Sequence, residues 1–142
     1  MNWTGEDFSG TKLALICGDQ ILTYLRDDFS RIPFPGHWDL PGGGREDQES
    51  PIECGLRETR EEFSLVLPAS RISAIRKYPP QSPAGLPTYF GLLRLHQTDV
   101  SSIQFGDEGQ TWRMMTISEF IEHPKAVPHL QTRLHDLLSD LH

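Results

Sequence analysis

The sequence has few of the features that mark secreted, membrane-spanning or disulfide-stapled proteins. Its 142 residues include only two cysteines, Cys17 and Cys54, in no CxxC pattern, which predicts buried free thiols in a reducing compartment. No apolar run approaches the roughly 18 residues that a membrane-spanning helix requires. The opening segment MNWTGEDFSG is polar and acidic, unlike a secretory or transit peptide. We therefore expect a cytoplasmic protein without a membrane partner.

Basic residues are also scarce. Thirteen Lys and Arg residues stand against twenty Asp and Glu residues, which gives a formal net charge of −7. Such a chain lacks the positive surface of a protein that coats a nucleic-acid backbone, so we expect no nucleic-acid polymer as a partner. It can still act on small phosphorylated molecules if a divalent cation mediates between two negative partners. The acids are concentrated, because residues 42–65 hold seven acids and three bases.

The alternation of apolar and turn-forming segments predicts an α/β protein. The order is strands, helix, strands, helix, which favours one mixed sheet with helices packed against it. We find no internal repeat and no second-domain boundary, so residues 1–142 are interpreted as a single domain. The predicted strands are residues 12–17, 21–26, 71–78, 87–96 and 111–117. The predicted helices are residues 51–63, a short helix capped by Ser118 and ended by Pro124, and a closing helix from residue 128 onward.

The closing helix carries its leucines on one face. That face could cover the sheet or form a contact with a second copy, so both a monomer and a homodimer remain open. The leucines are Leu130, Leu134, Leu137, Leu138 and Leu141.

The helix predicted over residues 51–63 has a well-marked start. Ser50 can be the N-cap, Pro51 suits the first helical position, and Glu53 completes an S-x-x-E capping box. At about 100° per residue, one narrow stripe of the helix is apolar and is expected to face the core. The stripe consists of Ile52, Leu56, Thr59 and Phe63.

Three glutamates gather on the side opposite this stripe. Glu58, Glu61 and Glu62 lie at i, i+3 and i+4, where like charges destabilise a helix by a few tenths of a kcal/mol per pair. One interpretation is an ordinary solvated charged face. The other is a metal site, because the preceding LPGGG (residues 40–44) offers bare backbone that can approach a ligand closely. Carboxylates, backbone carbonyls and water are the donors that Mg²⁺ or Mn²⁺ selects.

The spacing of this region resembles the Nudix box, G-x5-E-x7-R-E-U-x-E-E-x-G-U, where U is a bulky aliphatic residue. The segment WDLPGG before the box also resembles the lead-in of many Nudix proteins. There are two departures: Thr59 replaces an aliphatic residue, and Ser64 replaces the glycine that ends the helix in a left-handed conformation. A non-glycine residue at that end costs about 1 kcal/mol, unless the helix ends in another way. The matching residues are Gly43, Glu49, Arg57, Glu58, Glu61, Glu62 and Leu65.

The resemblance implies the Nudix fold, a mixed β-sheet sandwiched between α-helices, and a role for each box residue. Glu61 and Glu62 would be the principal metal ligands, with Glu58 as a further ligand or as the group that orients water. The carbonyl of Gly42 would complete the coordination of Mg²⁺ or Mn²⁺. Gly43, Glu49 and Arg57 would be structural, with Glu49 and Arg57 paired to brace the loop against the helix.

Further residues outside the box are candidates for the same site. FGDEGQTW (residues 105–112) is similar to the segment of MutT-type members that supplies another acid, with Glu108 as the candidate and Asp107 as the alternative. Glu58, Glu61, Glu62 and Glu108 would then form the catalytic and metal-binding set. Substrate-binding candidates are Arg26, Arg45 and Trp38.

The activity implied by the resemblance is pyrophosphohydrolysis of a nucleoside diphosphate linked to another moiety, with water attacking a phosphoanhydride. The length of the chain favours a MutT-like nucleoside triphosphate pyrophosphohydrolase. Pro80, fifteen residues beyond the box, resembles a marker of ADP-ribose hydrolases, so ADP-ribose stays open as a substrate. Nucleotide sugars and dinucleoside polyphosphates also stay open. A non-catalytic nucleotide-binding module of the same fold is the alternative from another class.

Overall fold

The architecture is one mixed sheet with helices on both faces, as the sequence predicts. The computed structural model describes residues 3–141. Its strands are β1 (Gly10–Cys17), β2 (Gln20–Leu25), β3 (Trp38–Asp39), β4 (Gly42–Gly44), β5 (Ile72–Tyr78), β6 (Thr88–Arg94) and β7 (Thr111–Thr116). Its helices are α1 (Pro51–Phe63), α2 (Gln97–Ser101), α3 (Ile117–Glu122) and α4 (Pro128–Asp140).

The sheet splits next to its central strand. β1 runs parallel to β6 from Gly10 to Ile16, and it pairs with β2 only at Ile16↔Ile21 and Cys17↔Gln20. Beyond those pairs, β4 pairs with the first residues of β1, and β3 pairs with the last residues of β2. β7 lies on the other edge of β2, and β5 pairs with β6. The split leaves room between β1 and β2 for side chains from both strands.

Alternation along β1 divides the core into two layers. Leu13 and Leu15 point to one face and pack with Phe63 of α1, whereas Ala14 and Ile16 point to the other face. The second face is covered by α3 and α4, whose buried leucines include Leu130, Leu134 and Leu137. The predicted fold class is therefore confirmed, and the leucines of the closing helix cover the sheet. Leu141 is 49% exposed and follows the last helical residue.

α1 begins and ends where the sequence predicts. Ser50 is the N-cap, its hydroxyl accepts from the Glu53 amide, and the Glu53 carboxylate accepts from the Ser50 amide. At the other end, Ser64 takes the left-handed conformation that the pattern reserves for glycine, with φ 59° and ψ 28°. Its hydroxyl donates to the Gln104 carbonyl at 3.1 Å, so the residue ties this helix end to the loop before β7.

The buried face of α1 is rotated relative to the predicted stripe. Thr59 and Phe63 are fully buried, as predicted, but Ile52 and Leu56 are only half-buried. Gly55 takes the central place, because a Cβ there would lie 3.0 Å from Leu13. The missing side chain lets α1 lie close to β1, and the rotation turns one flank of the glutamate face toward the protein.

Several short elements differ from the prediction. Thr116, and not Ser118, caps α3, since its hydroxyl accepts from the Glu119 amide at 3.1 Å. The two-residue β3, the three-glycine β4 and the five-residue α2 were not predicted. Strands this short form through pairing with β1 and β2, and local sequence carries little signal for them. Within residues 3–141, none of the helices is long and apolar enough to cross a membrane.

The capping box gives a direct test of the α1 start. Ser50→Ala removes the hydroxyl that accepts from the Glu53 amide, so we expect the free energy of unfolding to fall by about 1 kcal/mol. Ser118→Ala is the matched control, because Thr116 holds that cap, and the expected loss is less than about 0.5 kcal/mol. Urea unfolding followed by circular dichroism measures both. Equal losses would contradict the cap assignments.

Candidate active site

A cleft of about 560 Å³ opens where the sheet splits, facing the last turns of α1. One wall is acidic and comes from α1 and the loop before β7. The floor is the glycine strand β4, and the opposite wall is formed by side chains of β1 and β2. The lining residues are Lys12, Tyr24, Arg26, Gly42, Gly43, Gly44, Glu46, Glu58, Glu61, Glu62, Gly106, Asp107 and Glu108.

The three box glutamates occupy different depths of this cleft. Glu62 is buried at 9% exposure, and its Oε1 accepts a hydrogen bond from the Gly42 amide at 2.9 Å. The Glu58 side chain is 17% exposed, and that of Glu61 is 51% exposed. The carboxylates thus form a gradient from the glycine strand to solvent. A simple solvated face would leave all three exposed.

Burial perturbs the two deeper carboxylates. Loss of solvation raises the pKa of Glu62 to about 8, with further upward contributions from Glu58 and Asp39, while Lys12 and the Gly42 amide act in the opposite direction. Loss of solvation also raises the pKa of Glu58. The charges of Glu61 and Glu108 raise it further, whereas Arg57 acts in the opposite direction. Ionising these two carboxyl groups in the cleft is therefore costly, and a bound cation would reduce that cost.

Arg57 is the counterion on the outer side of these acids. Its Nε donates to Glu49 Oε2 at 2.6 Å and its Nη2 to Glu49 Oε1 at 3.2 Å, which is the pairing that the resemblance implies. Its Nη1 lies 3.0 Å from both Glu58 Oε1 and Glu61 Oε2, and its Nη2 donates to the Gly44 carbonyl at 2.7 Å. In the structure one arginine is shared by two of the three glutamates.

The glycines of β4 permit a close approach between the strand and the helix. A Cβ on Gly43 would lie 2.7 Å from the carboxyl carbon of Glu58. Gly42 has φ +131°, and a Cβ there would lie 2.1 Å from the Thr11 carbonyl oxygen. The Gly42 carbonyl faces the same region and accepts from Lys12 Nζ at 3.1 Å. An ammonium therefore stands at the carbonyl that the resemblance assigns to a metal.

The loop that follows α2 brings two more acids to the cleft. It is tied to the end of α1, because the Gly106 amide donates to the Glu62 carbonyl at 2.8 Å. Asp107 and Glu108 both line the cleft. Glu108 acts electrostatically on Glu58, so both candidates from the FGDEGQTW segment lie near the box carboxylates.

A buried aspartate that the sequence did not single out organises the opposite wall. Asp39 Oδ2 accepts from Lys12 Nζ at 3.1 Å, from Arg26 Nη1 at 2.8 Å and from the Tyr24 hydroxyl at 3.0 Å. Burial opposes its ionisation, but Lys12, the Leu40 amide and Arg26 outweigh that effect and lower its pKa. The available signal was weak: Asp39 stands between the apolar residues Trp38 and Leu40, and a charged residue is rarely buried unless it is paired.

The substrate-binding candidates separate into two groups. Arg26 lines the cleft beside Asp39. Arg45 lies behind β4, where it contacts Asp7, the Glu49 carbonyl and the ring of Phe8. Trp38 lies under the guanidinium of Arg113 and edge-on to His123, on the side of α3. The structure brings Arg26 to the candidate site and gives Arg45 and Trp38 packing contacts elsewhere.

The cleft suits a hard divalent cation in its donor chemistry. The available groups are carboxylate and carbonyl oxygens, and the buried Glu62 carboxylate carries a raised pKa. Within residues 3–141, no three ligating side chains are already gathered as a ready-made cage, because Arg57 holds Glu58 and Glu61 while Glu62 faces the Gly42 amide. Glu58, Glu61 and Glu62 are the residues that would hold the ion.

The chain matches a known protein family. The family model described as the NUDIX domain matches residues 12–137, which is most of the chain. The chain belongs to the Nudix family. The resemblance drawn from the box is therefore confirmed, and the residues of the box lie on the glycine strand β4, in the loop after it, on α1 and just beyond its end. A search of the curated proteins gave no match.

Solved Nudix structures share the fold. A MutT/nudix family protein from Enterococcus faecalis is 26% identical with a TM-score of 0.61, over 79% of this chain and 45% of that one. A bifunctional NMN adenylyltransferase/ADP ribose pyrophosphatase from Francisella tularensis, complexed with AMP and a manganese ion, is 21% identical with a TM-score of 0.69, over 95% of this chain and 42% of that one. Our chain thus spans less than half of either protein.

A third structure matches along nearly its whole length. The Ap4A hydrolase of C. elegans, solved as a binary complex, is 18% identical with a TM-score of 0.66, over 93% of this chain and 97% of that one. Together these likenesses confirm the Nudix architecture around the cleft.

The raised pKa of Glu62 predicts how the metal-free protein responds to pH. The pKa of Glu62 is about 8 in the folded protein and 4.5 ordinarily, so folding favours the protonated acid. The free energy of unfolding therefore falls as the pH rises from about 4.5 to about 8. Glu62→Gln keeps an acceptor for the Gly42 amide without the charge. In EDTA at pH 9 we expect the free energy of unfolding of Glu62→Gln to exceed that of the wild type by on the order of 2 kcal/mol.

Urea unfolding at pH 5 and pH 9 measures the effect. The advantage of Glu62→Gln should shrink toward pH 5, and the exposed Glu122→Gln should match the wild type at both values. An advantage of the same size at the two pH values would show that charge burial is not its cause.

Proposed function

We propose that this chain is a metal-dependent pyrophosphohydrolase that cleaves a phosphoanhydride in a nucleoside diphosphate linked to another moiety. The observation that carries the proposal is the two-signed cleft. Glu58, Glu61 and Glu62 face it from α1, whereas Lys12 and Arg26 face it from the split in the sheet. A diphosphate and its counter-cation need both signs of charge within a few ångströms of one another.

The carboxylates would hold the cation, with Glu61 and Glu62 as principal ligands and Glu58 beside them. Mg²⁺ or Mn²⁺, when bound, neutralises the diphosphate and lowers the pKa of water. Glu108 or one of the box carboxylates accepts the proton of the attacking water. A bond forms between the water oxygen and one phosphorus while the anhydride P–O bond breaks, which leaves two phosphorylated products.

The opposite wall would bind the phosphate oxygens. Lys12 and Arg26 are both fixed by the buried carboxylate of Asp39, so their charged ends are already in place before a substrate arrives. Preorganised cations cost little reorganisation when charge develops on the leaving oxygen. Asp39 is thus a positioning residue in this proposal, acting through its two partners.

A MutT-like nucleoside triphosphate pyrophosphohydrolase is the favoured form of the activity. ADP-ribose and nucleotide sugars are the alternative substrates, supported by the likeness to a protein named as an ADP ribose pyrophosphatase. The alternative from another class is a binding module without catalysis. The full set of box acids supports an enzyme instead. A cytoplasmic location, a single domain, and a monomer or homodimer stay predictions.

A substrate panel tests the proposed activity. Nucleoside di- and triphosphates, ADP-ribose and nucleotide sugars are assayed with Mg²⁺ or Mn²⁺, and the products identify the phosphorus attacked. We expect metal-dependent turnover of at least one compound, lowered at least about 100-fold in Glu61→Gln and in Glu62→Gln because a cation ligand is lost. Glu122→Gln, an exposed acid on α3, should keep wild-type turnover.

Two outcomes of the panel would count against the proposal. Turnover that survives both box substitutions would show that the site is elsewhere. An inactive wild type that still binds nucleotide would support the binding module.

The glycines of β4 provide a second test with a built-in control. Gly43→Ala places a Cβ within 2.7 Å of the Glu58 carboxylate, which must move because it is the flexible partner. Gly44→Ala meets its nearest atom, the Ser9 carbonyl oxygen, at 3.9 Å. We expect Mn²⁺ affinity to fall at least about tenfold in Gly43→Ala, the loss of roughly one charged ligand contact, and to stay within about twofold in Gly44→Ala.

Free Mn²⁺ measured by electron paramagnetic resonance gives both affinities, and thermal melts report whether each variant is folded. Equal affinities in folded Gly43→Ala and Gly44→Ala would exclude Glu58 from the metal site.

A further inference from the structure

Two further cavities lie beside the cleft. One is about 220 Å³ and shares Lys12, Gly43 and Gly44 with the cleft; the next is about 340 Å³ and opens toward the loop between β5 and β6. Four side chains line both cavities, and we refer to them as the basic pocket. They are Ser9, Thr88, His129 and Arg133.

Arg133 is the unusual member of the basic pocket. It is 8% exposed on the inner side of α4, its Nη1 donates to the Thr88 hydroxyl at 2.9 Å, and its guanidinium stacks on the ring of Tyr78 at 4.6 Å. Among residues 3–141, no carboxylate lies within 4 Å of it. Burial lowers its pKa. A buried charge without an ionic partner is expensive, and an anion bound beside it would reduce that cost.

The charge of the basic pocket contrasts with that of the rest of the molecule. The chain has a net charge of −7, and the catalytic cleft is lined by six acids. Among the described residues, no acid lines either of the two cavities that meet at the basic pocket. Both cavities are lined by His129 and Arg133, and the smaller one is also lined by Lys12. Burial lowers the pKa of His129, and the charges of Arg133 and Lys12 lower it further, while the charge of Asp39 acts in the opposite direction.

Packing alone does not account for this arginine. A methionine or leucine at position 133 could also pack against the ring of Tyr78 and against β6, and neither would require a charge to be desolvated. The hydroxyls of Ser9 and Thr88 and the imidazole of His129 can donate hydrogen bonds, as the guanidinium does. Several donors that converge without a carboxylate are a good match for a tetrahedral dianion.

We propose that the basic pocket binds a phosphate group of the substrate other than the two phosphates of the cleaved anhydride. Gly44 and Thr88 both pair with Gly10, from opposite edges, so they are two strand spacings, or about 10 Å, apart. The far edge of the pocket at Thr88 therefore lies about 10 Å from Gly44, a residue that the pocket's cavity shares with the cleft. The assignment to the substrate rests on the proposed function, whereas phosphate binding by the pocket does not.

A nuclear magnetic resonance titration tests the binding. The whole ¹⁵N-labelled chain is titrated with sodium phosphate in EDTA, with sodium chloride keeping the ionic strength constant. We expect saturable shifts of the Ser9, Thr88 and His129 amides with a Kd of about 1 mM or tighter. Shifts that do not saturate, or that saturate only around Lys12 and Arg26, would overturn the proposal. EDTA excludes metal and turnover, so this result is independent of the hydrolase assay.

Variants identify the guanidinium as the cause. Arg133→Met keeps the contact with Tyr78 and should weaken phosphate binding at least about tenfold, as expected for a lost charged hydrogen bond. Arg94→Gln removes the same charge from an exposed strand end and should leave the Kd within about twofold. Equal affinities in Arg133→Met and the wild type would reject the assignment. Should Arg133→Met not fold, the wild-type shift map still decides.

Kinetics connect the pocket to the substrate. With a hydrolysed compound that carries a phosphate in addition to the two of the cleaved anhydride, Arg133→Met should raise KM at least about fivefold and leave kcat within about twofold, because the pocket binds a group remote from the bond cleaved. Unchanged KM would show that the pocket holds some phosphate other than the substrate's. An inactive wild type would remove the proposed function but leave the titration result in place.

Discussion

The guanidinium of Arg57 joins the parts of this site that would otherwise repel or separate. It binds Glu49 through two hydrogen bonds, reaches the carbonyl of Gly44 in the glycine strand, and lies 3.0 Å from both Glu58 and Glu61. The loop, the strand and the helix are therefore fixed to one another by a single cation. That cation is on the outer side of the helix and makes no contact with Glu62 at the glycine strand, where burial raises the pKa of Glu62 to about 8 against the opposing effects of Lys12 and the Gly42 amide.

The split in the sheet supplies the opposite charge. β1 and β2 pair at only two positions before they separate, and Asp39, from the short strand in the gap, holds Lys12 and Arg26 toward the cleft. An acidic helix and a basic pair of strands then face each other across the space where a diphosphate and a divalent cation would lie. This arrangement explains how a chain of net charge −7 can bind an anionic substrate.

The local features of the site could be predicted from sequence, and the long-range ones could not. The capping box predicted the start of α1 at Pro51, and the resemblance to the Nudix box implied the pair of Glu49 and Arg57. Both signals lie within a short segment of the chain. The inward rotation of the glutamate face depends on Gly55 packing against Leu13, which a helical wheel does not show. Lys12 and Asp39 are 27 residues apart, and Arg133 meets Thr88 across 45 residues. Such contacts depend on how the strands and helices are arranged in space, so the local sequence around each partner did not predict them.

The central claim is that the α1 carboxylates, together with the glycine strand, hold a divalent cation in this cleft. A crystal of the whole protein soaked in MnCl₂, with diffraction data collected at the manganese absorption edge, tests it directly. The account predicts an anomalous peak in the cleft bounded by Glu58, Glu61, Glu62 and β4, absent from a crystal of Glu62→Gln prepared in the same way. A peak elsewhere on the molecule, or an unchanged peak in Glu62→Gln, would contradict it.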